Sequence, residues 1–227
     1  MNIAGAQKLD IQIGNAGAVS ALFDWPAKAR ACFVFAHGAG AGMTHPFMAT
    51  VASGLGERGI ATLRYQFPYM EKGSKRPDPP PIAQAAVRAA VAEAARCCSG
   101  LCLIAGGKSF GGRMTSQAQA VAPLAGVRGL AFLGFPLHPA GKPSNERAKH
   151  LSDVHVPMLF VQGTRDKLAE FQLLEPVVKG LGTSASLHLV QEADHSFHVP
   201  ARSGRNDRDA MSEVVGTLSA WIDATAG

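Results

Sequence analysis

No apolar run in this chain approaches the roughly 18 residues that a helix needs to cross a bilayer. Residues 1–12 also lack the basic flank and apolar core of a secretory signal. The expectation is therefore a soluble protein of the cytoplasm with no membrane partner. Cysteine is scarce. The four present, Cys32, Cys97, Cys98 and Cys102, make no two spaced C-x-x-C pairs and have no histidine close in sequence, which disfavours zinc and leaves reduced, buried thiols. Charge is sparse too, at 17% of residues, and 22 Lys and Arg against 17 Asp and Glu leave a formal charge of +5. The basic stretches 72–76 and 202–208 are short, the second is interleaved with Asp207, and no basic, aromatic-studded stripe accompanies them. Nucleic acid is thus not an expected partner, although the excess mildly favours anionic ligands. There is no repeat, no low-complexity tail and no shift of composition along the chain.

What is present is a globular composition: 47% apolar residues and 25 glycines in 227. Short apolar runs at 32–36, 60–65, 101–105, 129–135, 157–162 and 185–190 alternate with longer helical stretches, the rhythm of βαβ units around a parallel sheet. Their near-continuous hydrophobicity suits strands covered on both faces. Segments 9–13 and 19–23 lie too close for a helical crossover and read as an opening antiparallel pair. The clearest helix is 82–98, where Ala83, Val87, Ala90, Val91, Ala94 and Cys98 share one face. Further helices are expected over 47–58, 110–121, 168–179 and 209–222. The prolines Pro77, Pro79, Pro80 and Pro81 close an ordered irregular loop that begins near Gln66. One domain spanning 1–227 is the simplest account.

The chemistry is concentrated after the strand at 101–105, in Gly106-Gly107-Lys108-Ser109-Phe110-Gly111-Gly112. This contains G-x-S-x-G, in which a serine occupies a strained strand-to-helix turn and the glycines two before and two after it avoid collisions across the bend. The competing motifs fail on spacing. A phosphate-binding G-x-x-x-x-G-K-S needs glycine where Cys102 stands, and G-x-G-x-x-G beginning at Gly38 needs glycine where Met43 stands. Beside a serine elbow, His37-Gly38-Ala39-Gly40 gains another meaning. It follows the strand 32–36, where an oxyanion loop belongs, so one backbone donor is expected at Phe110 and the other at Ala39 or a neighbour. The same glycines would also serve a plain tight turn.

A serine hydroxyl needs a base, and the base needs an acid to hold it. In this chain order the acid should follow a later strand. Asp166 does so, although a helix N-cap for a stretch starting at Leu168 would use the same residue. The base is His195 in Ala193-Asp194-His195-Ser196-Phe197, with His198 its neighbouring competitor and Asp194 an alternative acid. His195, His198 and Asp194 lack the spacing of a helical metal site. The side chain of Lys108 has no role assigned by the motif.

The chain resembles the α/β-hydrolase fold near its dienelactone-hydrolase-like branch. It is similar above all to a group of bacterial hydrolases related to a testis-expressed hydrolase-like protein of animals. The segments that carry the resemblance are HGAGAGMTHPFM (37–48), LRYQFPYM (63–70), GKSFGGR (107–113), GFPLHP (134–139), LFVQGTRD (159–166) and ADHSFH (193–198). It implies a single α/β domain with a mostly parallel sheet, helices on both faces, and a triad of Ser109, Asp166 and His195. It supplies no substrate. Dienelactone hydrolases proper use a cysteine nucleophile, so their lactone does not carry over to Ser109. About twenty residues separate the strands near 135 and 157, too few for an independent lid, so an open cleft is expected. Met43, His45, Phe67, Tyr69, Phe110, Leu137, His138 and Phe197 lie on loops placed to line it; ordinary packing is the alternative for each, and about half are expected to face the cleft. The expected function is hydrolysis of small carboxylic esters or thioesters with no cofactor and no metal. The alternative is a non-catalytic binding or scaffold protein that keeps the fold, distinguishable by whether Ser109 reacts with a fluorophosphonate.

Overall fold

The computed structural model describes residues 6–14 and 17–227. Its strands are β1 (Gln7–Gln12), β2 (Ala18–Asp24), β3 (Ala31–Ala36), β4 (Ile60–Tyr65), β5 (Cys102–Lys108), β6 (Val127–Leu133), β7 (Met158–Gly163) and β8 (Ala185–Val190). They form one sheet in the order β1-β2-β4-β3-β5-β6-β7-β8. The pair β1/β2 is antiparallel, as its short connection requires, β2/β4 is antiparallel too, and every other pair is parallel. The helices are α1 (Pro46–Gly56), α2 (Pro68–Glu71), α3 (Pro80–Cys97), α4 (Phe110–Val121), α5 (Phe171–Gly180) and α6 (Asp207–Ala226).

Strand periodicity divides the core in two. Along β3, Cys32, Val34 and Ala36 face a core built with α3, α4 and α5, whereas Ala31, Phe33 and Phe35 face a second core built with α1 and α6. All six residues are buried, which accounts for the uninterrupted apolar run. The face predicted for α3 is the buried one: Ala83, Val87, Ala90, Val91 and Ala94 all pack inward. Each fully buried Val, Leu or Ile on these helices contributes about 1.5–3 kcal/mol. No helix among the described residues is long and apolar enough to cross a membrane.

Three helices begin two or three residues away from the sequence expectation, each for a local reason. The helix α3 begins at Pro80, because the first helical position has an unpaired N–H anyway and proline loses nothing there. The loop ahead of it holds the short α2. The helix α5 begins only at Phe171, so Asp166 does not cap it. Instead, Asp166 Oδ1 accepts the Leu168 N–H at 2.8 Å and closes a turn. The helix α6 begins at Asp207, two residues early, because Asn206 and Asp209 form a reciprocal capping box.

The order of the strands places the site. From β3 the chain crosses to β4 on one side, and from there α3 carries it back to β5 on the other side of β3. The loops leaving the carboxyl ends of β3 and β5 diverge at this switch, since α1 and α4 pack on opposite faces of the sheet. His37 leaves β3 and Ser109 leaves β5 at that point.

Candidate active site

Ser109 stands between the last residue of β5 and the first of α4, with φ 50° and ψ −114°. A serine in the positive-φ region is strained by roughly 1–3 kcal/mol and persists only where its surroundings dictate it. The constraint is visible at the flanking glycines. A Cβ on Gly107 would lie 2.4 Å from the Ala36 carbonyl oxygen, and one on Gly111 2.6 Å from both the Ala36 and His37 oxygens. Any side chain at either position would push β3 away from the elbow.

The base and the acid arrive from two later loops. His195 Nε2 lies 2.8 Å from Ser109 Oγ, and its Nδ1 lies 2.6 Å from Asp166 Oδ2. Asp166 is 2% exposed. Its carboxylate is met by the Leu168 N–H, the Gln162 side-chain amide and His195 Nδ1, so three donors converge on one acceptor group. A carboxylate accepts and does not donate, so the Nδ1 proton sits on the Asp166 side and the Nε2 lone pair faces the serine hydroxyl.

The competitors go elsewhere. Asp194 Oδ1 accepts the backbone N–H groups of Ser196 and His198, at 2.7 and 3.0 Å, and so shapes the loop without touching the imidazole. His198 pairs with Asp207 at 2.9 Å on the exposed side. These three side chains do not converge on a common point, as a metal site would require.

The loop after β3 is tied from beneath. His37 is fully buried, and its Nδ1 lies 2.8 Å from the Gly38 carbonyl while its Nε2 accepts the Phe67 N–H at 3.0 Å. The Phe67 contact needs a neutral ring with its proton on Nδ1, and burial lowers the pKa to about 4 against the opposing pull of the Gly38 carbonyl. The Tyr69 hydroxyl donates to the Ala39 carbonyl at 2.8 Å, and burial raises its pKa to about 12. In a trans peptide the N–H points opposite to the C=O. With the Gly38 and Ala39 carbonyls turned inward, the N–H groups of Ala39 and Gly40 are turned outward. Phe110, the first residue of α4, carries one of the N-terminal donors that a helix leaves without an internal partner.

The residues expected to line the cleft fare unevenly. Phe67, Leu137 and His138 are fully buried and offer a ligand no surface, whereas Phe197, 1% exposed, only edges a second depression beside Phe47 and Met211. Phe67 packs edge-on against His37 and Phe110, and Phe197 stacks on Phe47. His138 joins the Pro139 carbonyl to Glu170. Tyr69 is buried, while Met43 and Phe110 keep a small exposed margin at 8% and 7%. His45 is exposed but serves as the N-cap of α1, accepting the Phe47 N–H at 3.2 Å. A depression of about 410 Å³ flanks His195, lined also by Arg165, Lys167, Leu168, Glu192 and Pro200. Between β6 and β7 the chain makes one 3₁₀ segment, Glu146–Asp153, packed on α4 through a 2.7 Å contact between His150 and Ser116.

The motif left Lys108 without a role. Its Nζ donates to the His195 carbonyl at 2.5 Å and lies 5.5 Å from the Phe197 ring centre and 5.8 Å from that of Phe47.

The family described as an alpha/beta hydrolase domain matches residues 29–223. A dienelactone hydrolase from Anabaena variabilis superposes with a TM-score of 0.77 at 21% identity, covering 97% of this chain and 98% of that one. An α/β serine hydrolase homologue from Coxiella burnetii gives 0.74 at 18%, covering 97% and 99%. A lid-less α/β serine hydrolase from Xanthomonas campestris gives 0.74 at 20%, covering 97% of each chain.

Proposed function

The chain belongs to the α/β hydrolase family, and from that premise we propose that it is a cofactor-independent serine hydrolase of small carboxylic esters or thioesters, working through an acyl-enzyme on Ser109. The observation that carries this reading is the continuous relay from Ser109 Oγ to His195 Nε2 at 2.8 Å and from His195 Nδ1 to Asp166 at 2.6 Å. Each step follows from these groups. His195 takes the serine proton as Oγ attacks the substrate carbonyl carbon, and Asp166 stabilises the imidazolium that forms. The oxygen of the tetrahedral intermediate accepts from the N–H groups of Phe110 and Ala39, which are fixed before the reaction begins. As the C–O or C–S bond breaks, the imidazolium returns its proton to the departing alcohol or thiol. Water, deprotonated by the same His195, then attacks the acyl carbon and releases the carboxylic acid and free Ser109.

The single 3₁₀ segment between β6 and β7 supports an open cleft like that of the lid-less relative. The experiment is active-site labelling with a fluorophosphonate, located by mass spectrometry. Phosphonylation of Ser109, absent in Ser109→Ala and slowed while a saturating p-nitrophenyl acyl ester is being turned over, is the expected outcome. A folded protein left unlabelled would instead favour a scaffold that keeps the fold.

A further inference from the structure

A lysine ammonium in a confined site is costly, and an apolar side chain of similar length would pack well against the stacked rings of Phe47 and Phe197. Lys108 nevertheless occupies such a site, directly before the nucleophile. Phe47 comes to it from α1, and Phe197 and the His195 carbonyl come from the loop between β8 and α6. The backbone of Gly134 closes the remaining side. A Cβ built on Gly134 would lie 2.9 Å from Lys108 Nζ and 3.4 Å from Cε1 and Nδ1 of His195, so the ammonium and the imidazole border the same small volume. The charged groups that act on Lys108 are the carboxylates of Asp166 and Asp194, both of which favour its protonated form, and no cation adds to its charge there.

We propose that Lys108 is a positioning residue for His195: its ammonium clamps the backbone of the loop that carries the imidazole and biases that ring toward its neutral, proton-accepting form. The inference rests on the triad reading given above. The clamp is a charge-assisted hydrogen bond to the carbonyl of the base itself, which fixes the base where the loop is otherwise held by Asp194 and its neighbours. The bias is Coulombic, because a fixed cation beside an imidazole disfavours a second positive charge. Burial lowers the pKa of Lys108 to about 8. The ammonium therefore remains charged through the range in which a histidine titrates, and its field acts where it is needed. Its confinement costs stability at neutral pH, so removal of the charge should leave the fold intact.

The test compares the wild type with Lys108→Met, which keeps length and loses charge, and Lys108→Arg, which keeps charge. The Cε1–H resonance of His195, assigned by its loss in His195→Gln, is titrated by NMR in each protein, and kcat/KM for p-nitrophenyl butyrate is measured from pH 5.5 to 8.5. In Lys108→Met the midpoint of His195 should rise by about 0.5–1 pH unit. The acid limb of kcat/KM should move with it, so that the loss of activity is several-fold greater at pH 6 than at pH 8. In Lys108→Arg the midpoint should stay at the wild-type value even where kcat falls. An unchanged His195 midpoint in Lys108→Met, or an equal shift in both variants, overturns the proposal and reduces Lys108 to packing. Should Lys108→Met fail to fold, Lys108→Gln supplies the uncharged arm. The NMR titration needs no turnover, so a wild type that hydrolyses no ester would overturn the triad reading while still reporting on Lys108.

Discussion

Ser109 Oγ and His195 Nε2 lie 2.8 Å apart across a separation of 86 residues. Nothing local holds them together. The contact depends on the elbow projecting the serine from the end of β5 and on the loop after β8 returning to it. Ser109→Ala should lower kcat/KM for a p-nitrophenyl ester by at least ~10³-fold with little change in melting temperature.

The backbone strain at Ser109 permits a second measurement on inactive protein. At φ 50°, alanine remains as strained as serine, whereas glycine does not. Ser109→Gly should therefore be more stable than Ser109→Ala by about 1 kcal/mol in urea unfolding. Equal midpoints would mean that the elbow relaxes once the hydroxyl is gone.

The acid can be tested by its hydrogen bonds. Three donors point at Asp166: the Leu168 N–H, the Gln162 amide and His195 Nδ1–H. Asparagine offers one oxygen and an NH2 group, so Asp166→Asn sets a buried donor against a donor. Read from sequence as a helix cap, the position would tolerate asparagine with little loss of stability. In the structure the exchange should cost about 1–3 kcal/mol and reduce turnover by ~10⁴-fold. Full activity with an unaltered melting curve would move the acid elsewhere, and Asp194, whose carboxylate holds the loop backbone, is poorly placed to inherit it.

Ser109, Asp166 and His195 were legible because each follows the end of an apolar run, and a parallel sheet gathers such ends along one edge. Lys108 was not, because the motif leaves that position free and only the fold shows what its side chain reaches. Which of the cleft candidates pack inward is hidden from the sequence for a related reason. A loop position does not report which way a side chain points, and aromatics such as Phe67 and Phe197 gain more by packing beneath the loops than by facing solvent. The partners of His37 were equally hidden, since nothing local joins it to Phe67, 30 residues away.

Tyr69 gives a more distant handle on the oxyanion loop. Its hydroxyl holds the Ala39 carbonyl inward at 2.8 Å and thereby orients the next peptide in the row of donors. Tyr69→Phe keeps the ring packing against Phe67 and Phe110 and removes that tether together with the longer 3.4 Å contact to the Gly38 carbonyl. Steady-state kinetics should show kcat reduced roughly 3–10-fold with KM nearly unchanged, a fraction of the effect of losing a direct oxyanion donor. A rise in KM with kcat preserved would make Tyr69 a substrate contact instead.

Acid stability should follow His37. Burial lowers its pKa to about 4, and no carboxylate offsets this; the ring serves instead as a neutral bridge between Gly38 and Phe67. The unfolded chain, with an ordinary histidine near ~6.5, binds the proton more tightly than the folded one. The neutral ring thus contributes stability that is fully present above pH ~6.5 and is lost progressively as the pH falls toward 4, by up to roughly 3 kcal/mol. Half-buried His150 shifts in the same direction, through burial first and the nearby Arg113 second, and steepens the fall. Urea unfolding at pH 7.5, 6, 5 and 4.5 should therefore show a declining midpoint. His37→Asn, which cannot titrate, should start lower at pH 7.5 because it loses one end of the bridge, yet decline less steeply below pH 6. Parallel slopes for the two proteins would mean that the ring takes up its proton in place, with the Phe67 N–H free to find another acceptor.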